Sequence, residues 1–397
     1  GFPDQHAKGK AKSITSKAMF KGQSGVLKSA DIEGYVIDPL SMFAWTTNLV
    51  PFLGNNSGNR ALVAAKMVTQ SVPLKEPESP LVKVIDDYNE PLDRRLGSYL
   101  KPKVPKGFGT ATVQKIESDY IHISNDKGEK TKVGLYRDFP LNQESYIHSE
   151  PVVSVGDKVA EGAPLANTNF TDKQTGDFAP GLNVNVAYMP WHGYNYEDGI
   201  VVTEALAKKF TSMVMLKKNL QVNKDGILDT KKFTAYYPKA MSQENLGKLD
   251  ETGVIKEGMR VKPGETLVAY LQPADLTDTE RVLKQMNRVL SNPFRNKSLT
   301  WDGDHEGIVT HVRKNGNTFQ VHVKEEQPLK IGDKLAARYG DKGIVTKIIP
   351  DAEAPHTKDG TRIDMMVNIH GVAGRMNMGQ ILEAAAGRIS MKTGKPY

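Results

Sequence analysis

With 397 residues, 39% hydrophobic and 25% charged, the chain has the make-up of a soluble globular protein long enough for about two or three domains. It contains no cysteine, which excludes disulfides, thiolate nucleophiles and cysteine-bound zinc, and no apolar run approaching the ~18 to 20 residues of a membrane span, so an intracellular, reducing location is expected. A net charge of +7 makes an anionic partner plausible, nucleic acid first.

The opening GFPDQHAKGK has no apolar core of a signal peptide. Residues 1–35, with Lys8, Lys10, Lys12, Lys17, Lys21 and Lys28 and little periodicity, predict a basic extended arm that is either a solvated tail or a phosphate contact. Residues 36–90 turn helical. In DPLSMFAWTTNLVPFLGNNSGNRALVAAKMVTQ, Asp38 to Gln70, apolar residues recur at three and four, and Asn55, Asn56, Ser57 and Asn59 offer an N-cap before RALVAAKMV. Arg60 then falls in the first turn of a short helix. Past the polar linker PLKEPESPLVK the helical signal fades, and from about Pro105 to Ala187 short alternating runs such as TATVQKIESDYIHIS predict a small barrel or sandwich within residues 91–188.

Three stretches share an apolar run, a glycine-acid turn and a second apolar run: VVSVGDKVAEG (Val152 to Gly162), GMRVKPGETLVA (Gly258 to Ala269) and PLKIGDKLAAR (Pro328 to Arg338). The first two read as barrel turns, while an excess of glycine and lysine follows the third. DLTDTERVLKQMNRVLSN, Asp275 to Asn292, predicts an amphipathic helix that starts at Thr277-Asp278 and buries Val282, Leu283, Met286 and Leu290 on a sheet. WDGDHEG, Trp301 to Gly307, reads as a solvated acidic turn in preference to a metal site on Asp302 and Asp304. From Gly307 to about Val367 the β pattern returns.

Three constellations carry possible chemistry. In IGDKLAARYGDKGIV, Ile331 to Val345, Gly340 and Gly343 allow a tight turn and close backbone approach, while Lys334 and Lys342 supply compact cations. If both strands line one face the ammonium groups converge and repel, an arrangement that suits a phosphodiester or triphosphate between them; two surface lysines in a turn is the plainer alternative. In MPWHGYNYEDGIVVTEA, Met189 to Ala205, Glu197 and Asp198 precede a strand from Ile200 to Thr203. Neighbours on a strand point to opposite faces, so the two acids can share one ion only where the backbone is irregular; pairing with nearby lysines is the other reading. In HGVAGRMNMGQILEAAAG, His370 to Gly387, Gly371 and Gly374 predict a loop and MNMGQILEAAAG a helix ended by Gly387. Arg375 at that junction suits a bidentate grip on phosphate or a pairing with a nearby acid. Walker, His-Glu-x-x-His and Gly-x-Ser-x-Gly motifs are missing.

Taken together, MPWHGYNYEDGIVV, IGDKLAARYGDKGIVTKI, GTRIDMMVNIHGVAGRMNMGQILE and NLVPFLGNNSGNRALVAAKMVTQSVP closely resemble, in the same order, motifs of the β subunit of multisubunit DNA-dependent RNA polymerases. The resemblance runs from about Gly34 to Gly387 and is weak between Ala207 and Ile255. It implies a mixed, β-rich α+β fold: a double-psi β-barrel from residues 189–206 and 305–387, an adjoining barrel or sandwich module in 91–188, a reduced flap-like insertion in 207–304, a fork-side helical segment in 36–90 and a C-terminal tail in 388–397.

It also implies roles. Lys334 and Lys342 look like the two barrel lysines that hold the RNA 3′ end and the nucleotide phosphates. Arg60 and Arg375 match arginines that grip the triphosphate, Gln70 a glutamine beside the nascent RNA, and Glu197 and Asp198 the acidic pair next to the second, nucleotide-borne magnesium. The usual Arg-His-Gly-Asn-Lys stands here as Arg338-Tyr339-Gly340-Asp341-Lys342, and Ala373-Gly374 replaces Pro-Ser before the arginine. The segment between Val312 and Leu329 is too short for a flap-tip helix. The chain carries no Asp-Phe-Asp-Gly-Asp loop, so the implied catalytic Mg2+ needs a β′-like partner. The other implied partners are a separate N-terminal β fragment, further polymerase chains, DNA, RNA and NTPs. Such a split β subunit resembles those of large bacteriophages, with the cytoplasm or phage nucleus of an infected bacterium, or the virion, as its place. A subunit of another two-barrel polymerase and a non-catalytic nucleic-acid-binding barrel protein are the alternatives.

Overall fold

The computed structural model describes residues 15–20, 23–28, 43–86, 89–142, 144–274 and 293–397. The helix expected over Asp275–Asn292 lies outside them, as do Lys8, Lys10, Lys12 and Lys21 of the arm. The described backbone of the arm forms an antiparallel hairpin, β1 (Thr15–Phe20) and β2 (Gln23–Lys28). After the short α1 (Trp45–Asn48), α2 (Gly58–Thr69) begins behind Ser57, and Arg60 falls in its first turn as expected. Ser57 sits at the cap position with extended backbone but makes no side-chain cap bond.

The next helix, α3 (Leu92–Leu100), stands where a strand module was expected. Leu92, Leu96 and Leu100 recur at four-residue spacing, which puts them on one helical face. Gly97 abuts the backbone of Gly176 to Phe178 so closely that a Cβ would overlap it. A four-stranded antiparallel sheet then follows the expected alternation: β3 (Ala111–Ile116), β4 (Tyr120–Asn125), β5 (Lys130–Gly134) and β6 (Lys158–Val159), in the order β5-β4-β3-β6. Ala111, Val113, Ile121 and Ile123 all point inward onto Val104 and Leu165.

Two strands of the central sheet come next, β7 (Val186–Tyr188) and β8 (Gly199–Thr203), then α4 (Glu204–Lys209), whose first turn the Thr203 hydroxyl caps. β9 (Ser212–Gln221) leads to two short helices that the sequence reading passed over, α5 (Thr230–Tyr236) and α6 (Gln243–Lys248), capped by the Asp229 and Ser242 side chains. With β10 (Arg260–Val261), β11 (Gly307–Asn315) and β12 (Thr318–Gln327) they enclose a core in which Trp301, Tyr270, Phe233, Val321 and Val323 are fully or almost fully buried. Asn315 faces Thr318 in the β11–β12 register, leaving Gly316 and Asn317 as a two-residue loop. No flap-tip helix fits there, as the short spacing predicts.

The last elements are β13 (Lys334–Ala336), β14 (Lys342–Ile349), β15 (Met365–Val367), α7 (His370–Arg375) and α8 (Met378–Thr393). The central sheet runs β7-β15-β8-β14-β13 and is mixed: β7 is parallel to β15 and β8 to β14, while β8 with β15 and β13 with β14 are antiparallel. The fold is thus mixed and strand-rich, and this sheet is an open half-barrel. Among the described residues β7 and β13 do not pair, so closure into the implied double-psi barrel is not among its hydrogen bonds. Two expectations near the C-terminus are corrected. Gly371 and Gly374 lie inside α7, not in a loop, and α8 runs through Gly387 to end at Gly394, whose φ of 68° closes the helix.

The three glycine-acid stretches share one turn. Gly156, Gly264 and Gly332 take φ of 97°, 86° and 97°. The acid that follows each accepts a hydrogen bond from the backbone N–H three residues earlier: Asp157 from Ser154 (2.7 Å), Glu265 from Lys262 (2.9 Å) and Asp333 from Lys330 (2.9 Å). A positive φ and a carboxylate at fixed offset explain the repeat without any ligand. WDGDHEG is likewise structural: Trp301 is buried with its Nε1 donating to the His305 carbonyl (2.8 Å), while Asp302 and Asp304 pair with Lys218 and Lys330.

Among the described residues no helix is long and apolar enough to cross a membrane. Trp301→Ala should cost about 3–5 kcal/mol in denaturant unfolding, the scale of a large buried aromatic. A loss below about 1 kcal/mol would show that the packing around Trp301 does not hold these strands and helices together.

Candidate functional site

The β13–β14 hairpin explains why two lysines share this stretch. Its register sets Lys334 opposite Ile344 and Ala336 opposite Lys342. Opposed residues of an antiparallel pair share a face, so Lys334 and Lys342 stand on the same side, diagonally across the hairpin and ~7–8 Å apart at the backbone. All four residues are exposed, whereas Gly343 and Val345 on the other face are buried. Neither lysine has an ion-pair partner among the described residues.

Two glycines bring other stretches against this hairpin. A Cβ on Gly340, which has φ of 78°, would overlap the Arg60 carbonyl, and Arg60 Nη1 donates back to the Gly340 carbonyl at 3.1 Å. A Cβ on Gly343 would overlap the Asp198 carbonyl; the Asp198 oxygen instead accepts from the Ile344 N–H at 2.9 Å. The loop before α2 is also stitched to the α7–α8 junction: Ser57 N–H donates to the Met376 carbonyl (3.2 Å) and Gly379 N–H to Asn56 Oδ1 (3.2 Å). Four stretches distant in sequence thus meet at or beside this hairpin.

The acidic pair is placed by irregular backbone, as joint service at one ion would demand. Glu197 has φ of 51° in a turn closed by the Gly199 N–H on the Tyr196 carbonyl (3.0 Å), so both acids precede β8 and both are exposed. Asp198 Oδ1 pairs with Arg375 Nη2 at 2.6 Å. The arginine thus pairs with a nearby acid, its plainer reading, while the partner of the acid is an arginine and not one of the expected lysines. The pair is partly exposed, and such pairs contribute at most ~1 kcal/mol, so a polyanion can exchange with the carboxylate for the guanidinium. Gln70 is not brought to this face by any contact: it ends α2, ~15 Å along the helix from Arg60, with its side chain exposed.

Behind the hairpin lies a buried polar layer. Arg338 donates to the Val82 carbonyl (2.9 Å) and pairs with Glu383 of α8; Tyr339 is buried with Val50 and Ala64; Asp341 Oδ2 accepts from Gln380 Nε2 at 2.9 Å. Burial pushes the carboxyls of Asp93 and Asp341 up to about 6, with the nearby Arg338 pulling Asp93 the other way. Sequence reasoning missed Gln380 and Glu383, whose three-residue spacing on α8 was the available signal. Among the described residues no three carboxylates or imidazoles gather to hold a metal ion. Glu197 and Asp198 could contribute to one side of such a site.

The chain is thus a strand-rich protein whose mixed sheet carries Lys334 and Lys342 on one exposed face, with the stretches that bear Arg60 and Asp198 packed against their hairpin and Arg375 paired to Asp198. Residues 109–397 match the family described as RNA polymerase Rpb2, domain 6, and the chain belongs to that family. It is 33% identical over 388 residues to the DNA-directed RNA polymerase subunit beta of Treponema denticola, a match covering 92% of this chain and 32% of that protein. The same subunit of Synechococcus elongatus is 31% identical over 380 residues, covering 90% and 33%, and that of a Nocardioides species 32% over 397 residues, covering 95% and 33%. The chain spans about a third of the length of these curated relatives.

Gly340→Ala should destabilise the fold by on the order of 2–4 kcal/mol, through left-handed strain and overlap with Arg60, in thermal or denaturant unfolding. A neutral effect would show that the hairpin does not rest on α2. Because the folded-state pKa of Asp93 is raised, its contribution to stability is present at acid pH and lost as pH rises through about 6. Wild type minus Asp93→Asn, measured by unfolding across that range, should therefore decline; a flat difference would contradict the burial of this carboxyl.

Proposed function

We propose that this chain is a β-type subunit of a multisubunit DNA-directed RNA polymerase and forms the phosphate-binding side of its active centre. The observation that carries this reading is the shared exposed face of Lys334 and Lys342, flanked by Arg60 and Arg375. Membership of the Rpb2 domain 6 family and the printed names of the relatives support it.

In this reading Lys334 and Lys342 hold the RNA 3′ end and the phosphates of the incoming NTP, and Arg60 and Arg375 grip the triphosphate. Arg375 leaves Asp198 for a phosphate oxygen, which frees the carboxylate beside Glu197 to face the nucleotide-borne Mg2+. Gln70 lines the path of the nascent RNA. Fixed cations of this kind lower the barrier because they already stand where negative charge develops and need not reorganise. Magnesium, when bound, supplies charge neutralisation of the attacking and leaving oxygens, and its principal ligands come from the Asp triad of a β′-like partner. The half-barrel sheet closes into the double-psi barrel of the family. DNA template, an N-terminal β portion and further polymerase chains complete the assembly.

Lys342→Ala in the assembled enzyme should slow elongation by ~100-fold or more, the scale of losing one preorganised electrostatic contact. Elongation at the normal rate would overturn the role. Affinity purification of the tagged chain from its native source, followed by mass spectrometry, tests the partners. Recovery of a chain with an Asp-Phe-Asp-Gly-Asp loop and of a second β-like fragment supports the split, bacteriophage-type arrangement. Recovery of the chain alone at low salt would favour a nucleic-acid-binding barrel protein.

A further inference from the structure

Lys342 stands on the exposed face of its hairpin, so its position is set by the backbone from which it rises. That backbone is the turn from Ala337 to Asp341, closed by the Ala337 N–H on the Asp341 carbonyl at 3.0 Å. Its residues are tied in different directions: Arg338 to Glu383 of α8, Tyr339 into the core with Ala64 of α2, Gly340 against Arg60, and Asp341 to Gln380. Asp341 directly precedes Lys342. Neighbours on a strand face opposite ways, so as one side chain reaches outward the other is directed into the protein.

The inward side chain meets the first turn of α8. Gln380 Nε2 donates to Asp341 Oδ2 at 2.9 Å, whereas Asp341 Oδ1 is buried without a hydrogen-bond partner. The same helix end is joined to Arg375 through Met376 and Asn377, so one anchor serves both Lys342 and Arg375.

We propose that Asp341 is a positioning residue for Lys342: its bond to Gln380 anchors the start of β14 to α8, and the proton on its carboxyl decides how firmly that anchor holds. The Gln380 N–H by itself favours a carboxylate at Oδ2, but that carboxylate must keep Oδ1 buried without a donor, and the burial outweighs the bond. The charged and titratable groups around it do not remove that cost. Glu383 of α8 repels a carboxylate and is itself bonded to Arg338; Arg375 of α7 attracts it but is engaged by Asp198; Tyr188 at the end of β7 and Tyr339 on the turn carry no charge at neutral pH. Burial is the largest influence and pushes the Asp341 carboxyl up to about 6. The anchor is therefore firmest below the ordinary carboxylate value of 3.8 and loosens as pH rises from there through about 6.

The catalytic consequence rests on the reading of Lys342 given above, and the test separates the two. Hydrogen–deuterium exchange over residues 337–345 of the full chain is compared among wild type, Asp341→Asn and Gln380→Ala at the same pH, from about pH 4 to about pH 7. Wild type and Asp341→Asn should exchange alike at the acid end, wild type several-fold faster at the neutral end, and Gln380→Ala fast throughout. Equal exchange of wild type and Asp341→Asn at every pH overturns the proposal, as does Gln380→Ala exchanging like wild type at the acid end. In the assembled enzyme the NTP KM of wild type should rise with pH relative to that of Asp341→Asn, with kcat changing less. Identical KM profiles in an enzyme that Lys342→Ala disables overturn the positioning role. If Lys342→Ala instead leaves elongation intact, the polymerase reading fails, and the exchange profile alone decides the anchor.

Discussion

The site depends on close backbone contact at two glycines. Gly340 lets the hairpin turn rest on the first turn of α2, and Gly343 lets the lysine strand lie against the carbonyl of Asp198. Any side chain at either place would push a charged group away from the face. Interiors close-pack at fixed density, so a displaced turn would carry its neighbours with it. Arg60, Asp198 and Lys342 are therefore placed by van der Waals contact between backbones, and their charges need not attract each other to stay in place.

That division of labour matters electrostatically. Lys334 and Lys342 on one exposed face hold like charges near one another, which is unfavourable unless an anion joins them. The stability of the arrangement comes from behind: Tyr339 buried with Val50 and Ala64, Arg338 paired with Glu383, Asp341 bonded to Gln380. On the exposed side the ion pair of Arg375 with Asp198 is weak enough to be exchanged.

Elsewhere the chain is built by local rules applied repeatedly. One glycine-acid turn occurs at Gly156, Gly264 and Gly332, and in the third case the strand that follows carries Lys334. The β11–β12 hairpin closes on two residues, and its Val309, Val321 and Val323 join Phe233 and Trp301 in one core.

Much was legible in the sequence. The helix start before Arg60, the strands after Pro105 and after Gly307, the acid pair ahead of a strand and the glycine-bearing lysine hairpin all follow from periodicity and turn chemistry, which act within a few residues. The helices α3, α5 and α6 were missed because they are short, and tertiary packing decides such helices more than propensity does. Gly371, Gly374 and Gly387 misled in the other direction, since a helix tolerates a glycine at ~1 kcal/mol when its neighbours hold it. The sequence by itself determined which residues could carry charge to a phosphate and supplied the family's motifs in order. Only the tertiary structure decided that Arg375 rests on Asp198, that Gln70 stands apart from the cations, and that Asp341, Gln380 and Glu383 form the support beneath them. Those facts depend on contacts between stretches tens to hundreds of residues apart, and no local pattern encodes which of two distant side chains will share a buried space.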